Sequence, residues 1–135
     1  MFTFGSGFGV AFLREHGAPF DASDGNNFII GDDANNVINA HDGIDSVQGG
    51  FGNDLVDGGG ANDALYGQEG KDTLNGGEGN DALFGGNLDD VLNGGAGIDG
   101  LAGGAGNDKL DGGDDADTDI LSGGAGDDTL VWRGD

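Results

Sequence analysis

The chain has 135 residues, the size of a single domain. Its 26 acidic residues face four basic ones, which gives a formal net charge of -22 and argues against nucleic acid or an anionic membrane as a partner, because either would need a basic patch. Thirty-three glycines with one proline and no cysteine argue against a collagen helix, a disulfide framework and a thiolate zinc site.

Residues 1–21 precede any repeat and form the first predicted segment. They lack the positively charged start and the continuous apolar run of a secretory signal, so we expect any export to use another route. The stretch FGVAFLREHG, residues 8–17, is predicted to be a short helix that ends at Gly17 and caps the repeats.

A nine-residue period begins at residue 22. An aliphatic residue recurs every nine residues from Ile29 to Leu110, and again at Leu121 and Leu130 after two extra residues within 112–122. The resulting pattern over twelve units is Gly-Gly-x-Gly-x-Asp-x-U-x, with U aliphatic, and we number its places from first to ninth. The sixth place holds Asn27 and Asn36 in the first two units and an aspartate in the others: Asp45, Asp54, Asp63, Asp72, Asp81, Asp90, Asp99, Asp108, Asp119 and Asp128.

Each unit is predicted to contain a glycine-rich turn followed by a short strand over its last three residues. Two units then form one coil, and units two places apart stack with strands about 4.8 Å apart. This stacking places Asp54 over Asp72 and Asp63 over Asp81. Carboxylates about 5 Å apart repel each other by roughly 3 kcal/mol, so a cation is expected between them, and Ca²⁺ suits a site made of oxygen ligands alone.

This pattern resembles the hemolysin-type, or RTX, calcium-binding nonapeptide repeat family over about four fifths of the chain. The resemblance implies an all-β fold, a right-handed parallel β-roll over residues 22–131, with 1–21 as a cap and 132–135 as a tail. It also implies multiple Ca²⁺ ions between stacked units, and twelve units that stack two places apart allow about ten sites. The implied ligands are the sixth-place aspartates and loop carbonyls, among them those of Gly49, Phe51, Gln68, Gly70, Gly76, Gly79, Gly94 and Gly97.

Several units depart from the pattern. Asn27 and Asn36 can offer only a neutral oxygen, so their sites are expected to be weak or empty. Ala34, Ala61 and Leu88 replace the fourth-place glycine, and Leu88 is expected to distort its loop or to mark a lost ion. The ligands of the insertion within 112–122 stay unassigned.

The two outer faces differ in polarity. One presents mainly apolar residues, Phe28, Ile30, Tyr66, Ala82, Phe84 and Ile120; the other presents Asn39, Asp57, Asn75, Asn93 and Asp111. Two interpretations stay open for the apolar face. It docks a protein partner or a second copy, or the phenylalanines of residues 1–21 cover it.

The predicted function is a calcium-binding module that folds on binding Ca²⁺. The resemblance implies that it belongs to, or derives from, a secreted substrate of type I export. The alternative is a calcium-stiffened structural or adhesive protein. Family members generally carry an export signal after the repeats, whereas here 132–135 follow the last unit directly. No enzyme is expected, because the histidines and serines match no catalytic motif.

Overall fold

The computed structural model describes residues 9–12 and 19–133. These residues form fourteen β-strands and no helix, which confirms the all-β prediction. The strands are β1 (Gly9–Phe12), β2 (Phe20–Asp21), β3 (Asn27–Ile30), β4 (Val37–Asn39), β5 (Ser46–Phe51), β6 (Leu55–Gly60), β7 (Ala64–Glu69), β8 (Thr73–Glu78), β9 (Ala82–Asn87), β10 (Val91–Ala96), β11 (Gly100–Ala105), β12 (Lys109–Asp111), β13 (Ile120–Ala125) and β14 (Thr129–Val131).

The strands alternate between two parallel sheets of seven strands each. The first sheet has the order β1-β3-β5-β7-β9-β11-β13, and the second has the order β14-β12-β10-β8-β6-β4-β2. Each strand therefore pairs with the strand two places away in sequence. The register follows the eighteen-residue coil, with Leu65 opposite Leu83 and Leu74 opposite Leu92. The predicted parallel β-roll is confirmed.

The core is a column of aliphatic side chains between the two sheets. The eighth-place residues from Ile29 to Leu110 are buried, because strand alternation turns the eighth place and the next first-place glycine inward. At the C-terminal end Leu121 is only partly buried and Leu130 is 47% exposed.

Most strands are longer than the sequence pattern predicts. A typical strand, β8, has six residues and includes the first three places of the following unit, such as Gly76 and Gly77. Gly77 has a φ of 109° and still takes part in the ladder, opposite Gly59 and Gly95. The turn is thus reduced to places four to six.

The predicted capping helix is wrong over Gly9–Phe12. These residues form β1, which pairs in parallel with β3, and β2 pairs with β4 in the other sheet. The stretch GVAF alternates buried and exposed residues in the structure. Such a short apolar stretch is compatible with an edge strand as well as with a helix. The other residues of the proposed helix lie outside the described residues.

Candidate metal centre

The sixth-place residues line both edges of the roll, where each turn meets the next strand. The eight aspartates from Asp45 to Asp108 are each at most 4% exposed, although they are ionisable. Asp119 and Asp128, in the last two units, are partly exposed. Burial of so many carboxylates is costly unless each one is compensated.

One oxygen of each carboxylate is satisfied by the neighbouring coil. The backbone N–H of Asp54 donates to Oδ1 of Asp72 at 2.8 Å, and the N–H of Asp63 donates to Oδ1 of Asp81 at 2.8 Å. The same bond joins every stacked pair within residues 19–133, so each edge carries a continuous ladder. One ladder joins 27, 45, 63, 81, 99 and 119; the other joins 36, 54, 72, 90, 108 and 128.

The other carboxylate oxygen has no partner. Oδ2 is buried without a hydrogen bond in all eight aspartates from Asp45 to Asp108. It lies against the first-place glycine of its own unit: a Cβ built on Gly67 would clash with Oδ2 of Asp72 and lie 2.7 Å from the carbonyl oxygen of Gly85. Close approach therefore favours glycine at the first place, while positive φ favours glycine at the second and fourth places.

The electrostatics of the ladders disfavour charge on these groups. Burial raises the pKa of Asp63 and Asp90 to about 7, and neighbouring carboxylates raise it further against the lowering effect of the backbone hydrogen bonds. Burial likewise raises the pKa of Asp54 and Asp99 to about 6. The pKa values of Asp45, Asp72 and Asp81 are raised for the same reason.

An oxygen-binding cation fits this donor set. Buried Oδ2 atoms without partners recur along each edge, and the first-place carbonyls lie beside them: the carbonyl oxygen of Gly94 and Oδ2 of Asp81 both approach Gly76. Among the described residues, no three His, Cys, Asp or Glu side chains converge to hold a metal by themselves. Backbone carbonyls must then complete the six to eight ligands of Ca²⁺.

The predicted carbonyl ligands fall into two groups in the structure. Gly49, Gly76 and Gly94 are buried first-place residues beside the carboxylates. The others, Phe51, Gln68, Gly70, Gly79 and Gly97, lie at the second to fourth places where strand passes into turn, and all except Phe51 have positive φ. Their assignment as ligands stays a prediction.

A family model described as the RTX calcium-binding nonapeptide repeat (4 copies) matches the chain at residues 20–47, 40–74, 48–83, 57–92, 84–118 and 93–130. The chain belongs to the RTX calcium-binding repeat family. Its repeats form a calcium-binding structural module. A comparison with curated proteins found no match.

The units that lack the fourth-place glycine differ in whether their turns keep the conformation of the other units. Leu88 and Ala61 adopt φ values of 71° and 74°, so both keep the glycine-like turn, and the distortion expected at Leu88 is not found. The turn of the unit 31–39 differs, because Ala34 and Asp32 are not among the described residues with positive φ. There Oδ1 of Asp32 accepts the N–H of Ala34 at 2.9 Å instead.

The insertion within 112–122 leaves the ladder intact. Strand β13 pairs with β11 at an offset of twenty residues, Gly100 opposite Ile120, so the extra residues bulge between β12 and β13. Asp119 keeps the sixth place, since its Oδ1 accepts the N–H of Asp99 at 3.0 Å. Asp115 of the bulge accepts the N–H of Gly97 at 2.8 Å.

Sequence reasoning missed a second ladder at the fifth place, on the outside of the turns. The N–H of Asn53 donates to Oδ1 of Asn35 and the N–H of Asn80 donates to Oδ1 of Asn62, in the direction opposite to the aspartate ladder. Lys71 joins this row through an ion pair of 2.7 Å with Asp89. The recurrence of asparagine or aspartate at the fifth place was the available signal.

Proposed function

We propose that this RTX module folds when it binds Ca²⁺ and belongs to, or derives from, a secreted bacterial protein exported by a type I system. The observation that carries the proposal is the row of buried Oδ2 atoms without partners on both edges of the roll. No catalytic role is included in the proposal.

The chain's own charges explain why folding would need the ion. Folding brings aspartates of successive coils into one buried row, which raises their pKa values and disfavours the charged form. Bound Ca²⁺ supplies the positive charge and the missing oxygen contacts in that row. The net charge of -22 opposes compaction at neutral pH for the same reason, and ligands that bind only the folded state stabilise it.

The secretion context is supported by the family and by the chemistry of the sites. The resemblance to type I substrates implies a chain that crosses the membrane unfolded and folds outside. Calcium is scarce inside cells and millimolar outside, a range that suits weak extracellular calcium sites.

Within residues 9–12 and 19–133, no helix has the length and apolar character to cross a bilayer.

A calcium titration tests the folding proposal. Circular dichroism and small-angle scattering of the 135-residue chain are recorded after removal of divalent ions, and then with rising Ca²⁺ or Mg²⁺. We expect an expanded chain that gains parallel β signal and becomes compact with Ca²⁺ and not with Mg²⁺. A metal-free chain with full β signal and compact size would contradict the proposal.

The apolar outer face favours a second candidate function, a structural or adhesive rod that docks a second copy or another protein. Tyr66 lies opposite Phe84 on the first sheet, and their rings stack at 4.9 Å. Phe28 lies on the same sheet in the row of Ser46 and Ala64, two residues along the strand from the row of Tyr66 and Phe84. Beside Phe84 a groove of about 230 Å³ runs over Gly100 and Ala102 to Ile120.

Sedimentation velocity in saturating Ca²⁺ tests self-association through this face. The wild type is expected to associate as concentration rises, and the double variant Tyr66→Ser/Phe84→Ser is expected to stay monomeric. Asn75→Ser, on the opposite face, is the control. A wild type that is monomeric at all concentrations would count against docking of a second copy.

A further inference from the structure

The side chain of Asn27 differs in its contacts from the aspartates above it in the ladder. Asn27 is 3% exposed, and its Nδ2 donates to the carbonyl oxygens of Ser23 at 2.8 Å and Gly25 at 2.5 Å. The same nitrogen lies 3.3 Å from Oδ1 of Asp45. Ser23 and Gly25 hold the second and fourth places of the same unit, and Asp45 holds the sixth place of the stacked unit. The amide thus contacts loop carbonyls and a ladder carboxylate, the two kinds of oxygen that RTX units offer to Ca²⁺.

The chemistry of an amide nitrogen makes this a replacement for an ion. An NH₂ group has two hydrogens of partial positive charge and no acceptor capacity, so it satisfies carbonyl and carboxylate oxygens and cannot ligate a cation. Rotation of the amide would turn its oxygen toward three other oxygens. At this turn the oxygens of Ser23, Gly25 and Asp45 that face the amide therefore have an N–H donor and need no ion, and Oδ1 of Asn27 is itself buried without a hydrogen bond.

The opposite edge starts in a similar way at Asn36. Its Nδ2 donates to Oδ1 of Asp32 at 2.8 Å, and its Oδ1 accepts the N–H of Asp32 at 2.9 Å. The turn of this unit is closed by its own side chains.

We infer that no Ca²⁺ binds between Asn27 and Asp45 or between Asn36 and Asp54, the first stacked pair of each edge. The amides of Asn27 and Asn36 replace the ion there, so the N-terminal coils stay ordered when calcium is removed. This inference rests on the proposed calcium-dependent folding and adds a calcium-independent end to it. Each edge then begins with an amide-closed space and continues with spaces between two aspartates, from Asp45–Asp63 to Asp99–Asp119 on one edge and from Asp54–Asp72 to Asp108–Asp128 on the other.

Counting bound ions in matched variants tests the inference. Asn27→Asp replaces the amide NH₂ donor of Asn27 by a carboxylate. Asn26→Asp is the control, because it adds the same charge one residue away. Oδ1 of Asn26 accepts the N–H of Ile44 on the exposed side of the turn. Equilibrium dialysis with radioactive Ca²⁺ should give one more ion per chain for Asn27→Asp than for the wild type, and no change for Asn26→Asp. An unchanged ion count in Asn27→Asp would overturn the inference.

Hydrogen exchange of the metal-free wild type supplies a readout that needs no variant to fold. Peptides within 19–48 are expected to exchange about tenfold more slowly than those within 64–111, because only the former keep closed turns without calcium. Uniform exchange along the chain would overturn the inference and leave calcium-dependent folding standing. A wild type that binds no Ca²⁺ at all would instead overturn the proposed function.

Discussion

The backbone N–H of Asp72 donates to Oδ1 of Asp90 at 2.7 Å, and Oδ2 of both residues is buried without a partner. One oxygen of each carboxylate thus holds the coils in register, and the other is left for a ligand. The different roles of Oδ1 and Oδ2 explain how aspartates of like charge can stack at a fixed spacing along one edge of the roll.

Replacing Asp72 by asparagine should weaken calcium binding on both sides of that residue, because it lies between Asp54 and Asp90 in one ladder. We expect two fewer bound ions and a calcium midpoint of folding about tenfold higher, equivalent to about 1.4 kcal/mol. Asp57→Asn removes the same charge from the outer face, where Asp57 accepts from Asn75 at 3.2 Å, and should leave the midpoint unchanged. Equal effects of the two variants in a calcium titration followed by circular dichroism would contradict the assignment.

The pH dependence of stability should reverse when calcium is removed. Burial raises the pKa of Asp63 and Asp90 in the folded chain to about 7 from 3.8, so the folded state binds more protons than the unfolded state between these values. The metal-free fold should therefore be most stable below about pH 4 and lose that stability as pH rises through about 7.

Calcium should invert this trend, because it binds the deprotonated carboxylates and competes with protons. Its affinity should fall as pH drops from 7 to about 5. Urea unfolding at several pH values, with and without Ca²⁺, measures both trends. A metal-free fold that is more stable at pH 8 than at pH 4 would show that the buried aspartates do not limit folding.

Adding one methyl group at Gly67 should destabilise the calcium-bound roll. Its Cβ would clash with Oδ2 of Asp72, and the expected cost is about 1–3 kcal/mol. The matched change is Gly100→Ala, where the nearest atom is the carbonyl oxygen of Asp81 at 4.0 Å, and it should be neutral or slightly stabilising. Thermal unfolding in saturating Ca²⁺ compares the two, and equal melting temperatures would refute the close-approach explanation.

Leu88→Gly should stabilise the protein although it removes an apolar side chain. Leu88 is 53% exposed and holds a φ of 71°, a left-handed conformation that costs a residue with a Cβ about 1–2 kcal/mol. After the entropy cost of glycine, we expect a gain of about 0.5–1 kcal/mol in the free energy of unfolding. Val91→Gly, at a similarly exposed strand position, should destabilise instead. Loss of stability in Leu88→Gly would contradict the assigned strain.

The period in the sequence was sufficient to predict the register and the stacking of the sixth-place aspartates. Counting nine residues from one aliphatic marker to the next placed Asp63 next to Asp81, as the structure shows. The contact of Asp119 with Asp99 across the insertion was not predicted and comes from the structure. Such a repeat is predictable because each coil contacts only its neighbours, so local spacing determines long-range contacts.

Other features depended on close contacts that the spacing does not contain. Glycine at the second place suggested a turn, yet Gly77 lies within a strand at positive φ because the parallel neighbours on both sides hold it there. The strand at Gly9–Phe12 has no repeat signature, and its conformation is determined by pairing with β3. Asn27 was expected to offer an oxygen, and the structure instead directs its nitrogen to the loop carbonyls.

The most direct test of the central claim is anomalous X-ray diffraction from crystals of the 135-residue chain grown in excess Ca²⁺. Rows of calcium peaks beside Oδ2 of the stacked aspartates, such as Asp54 and Asp72, are the predicted result, on both edges of the roll. Ordered ladders without anomalous density between Asp54 and Asp72 or between Asp63 and Asp81 would contradict it.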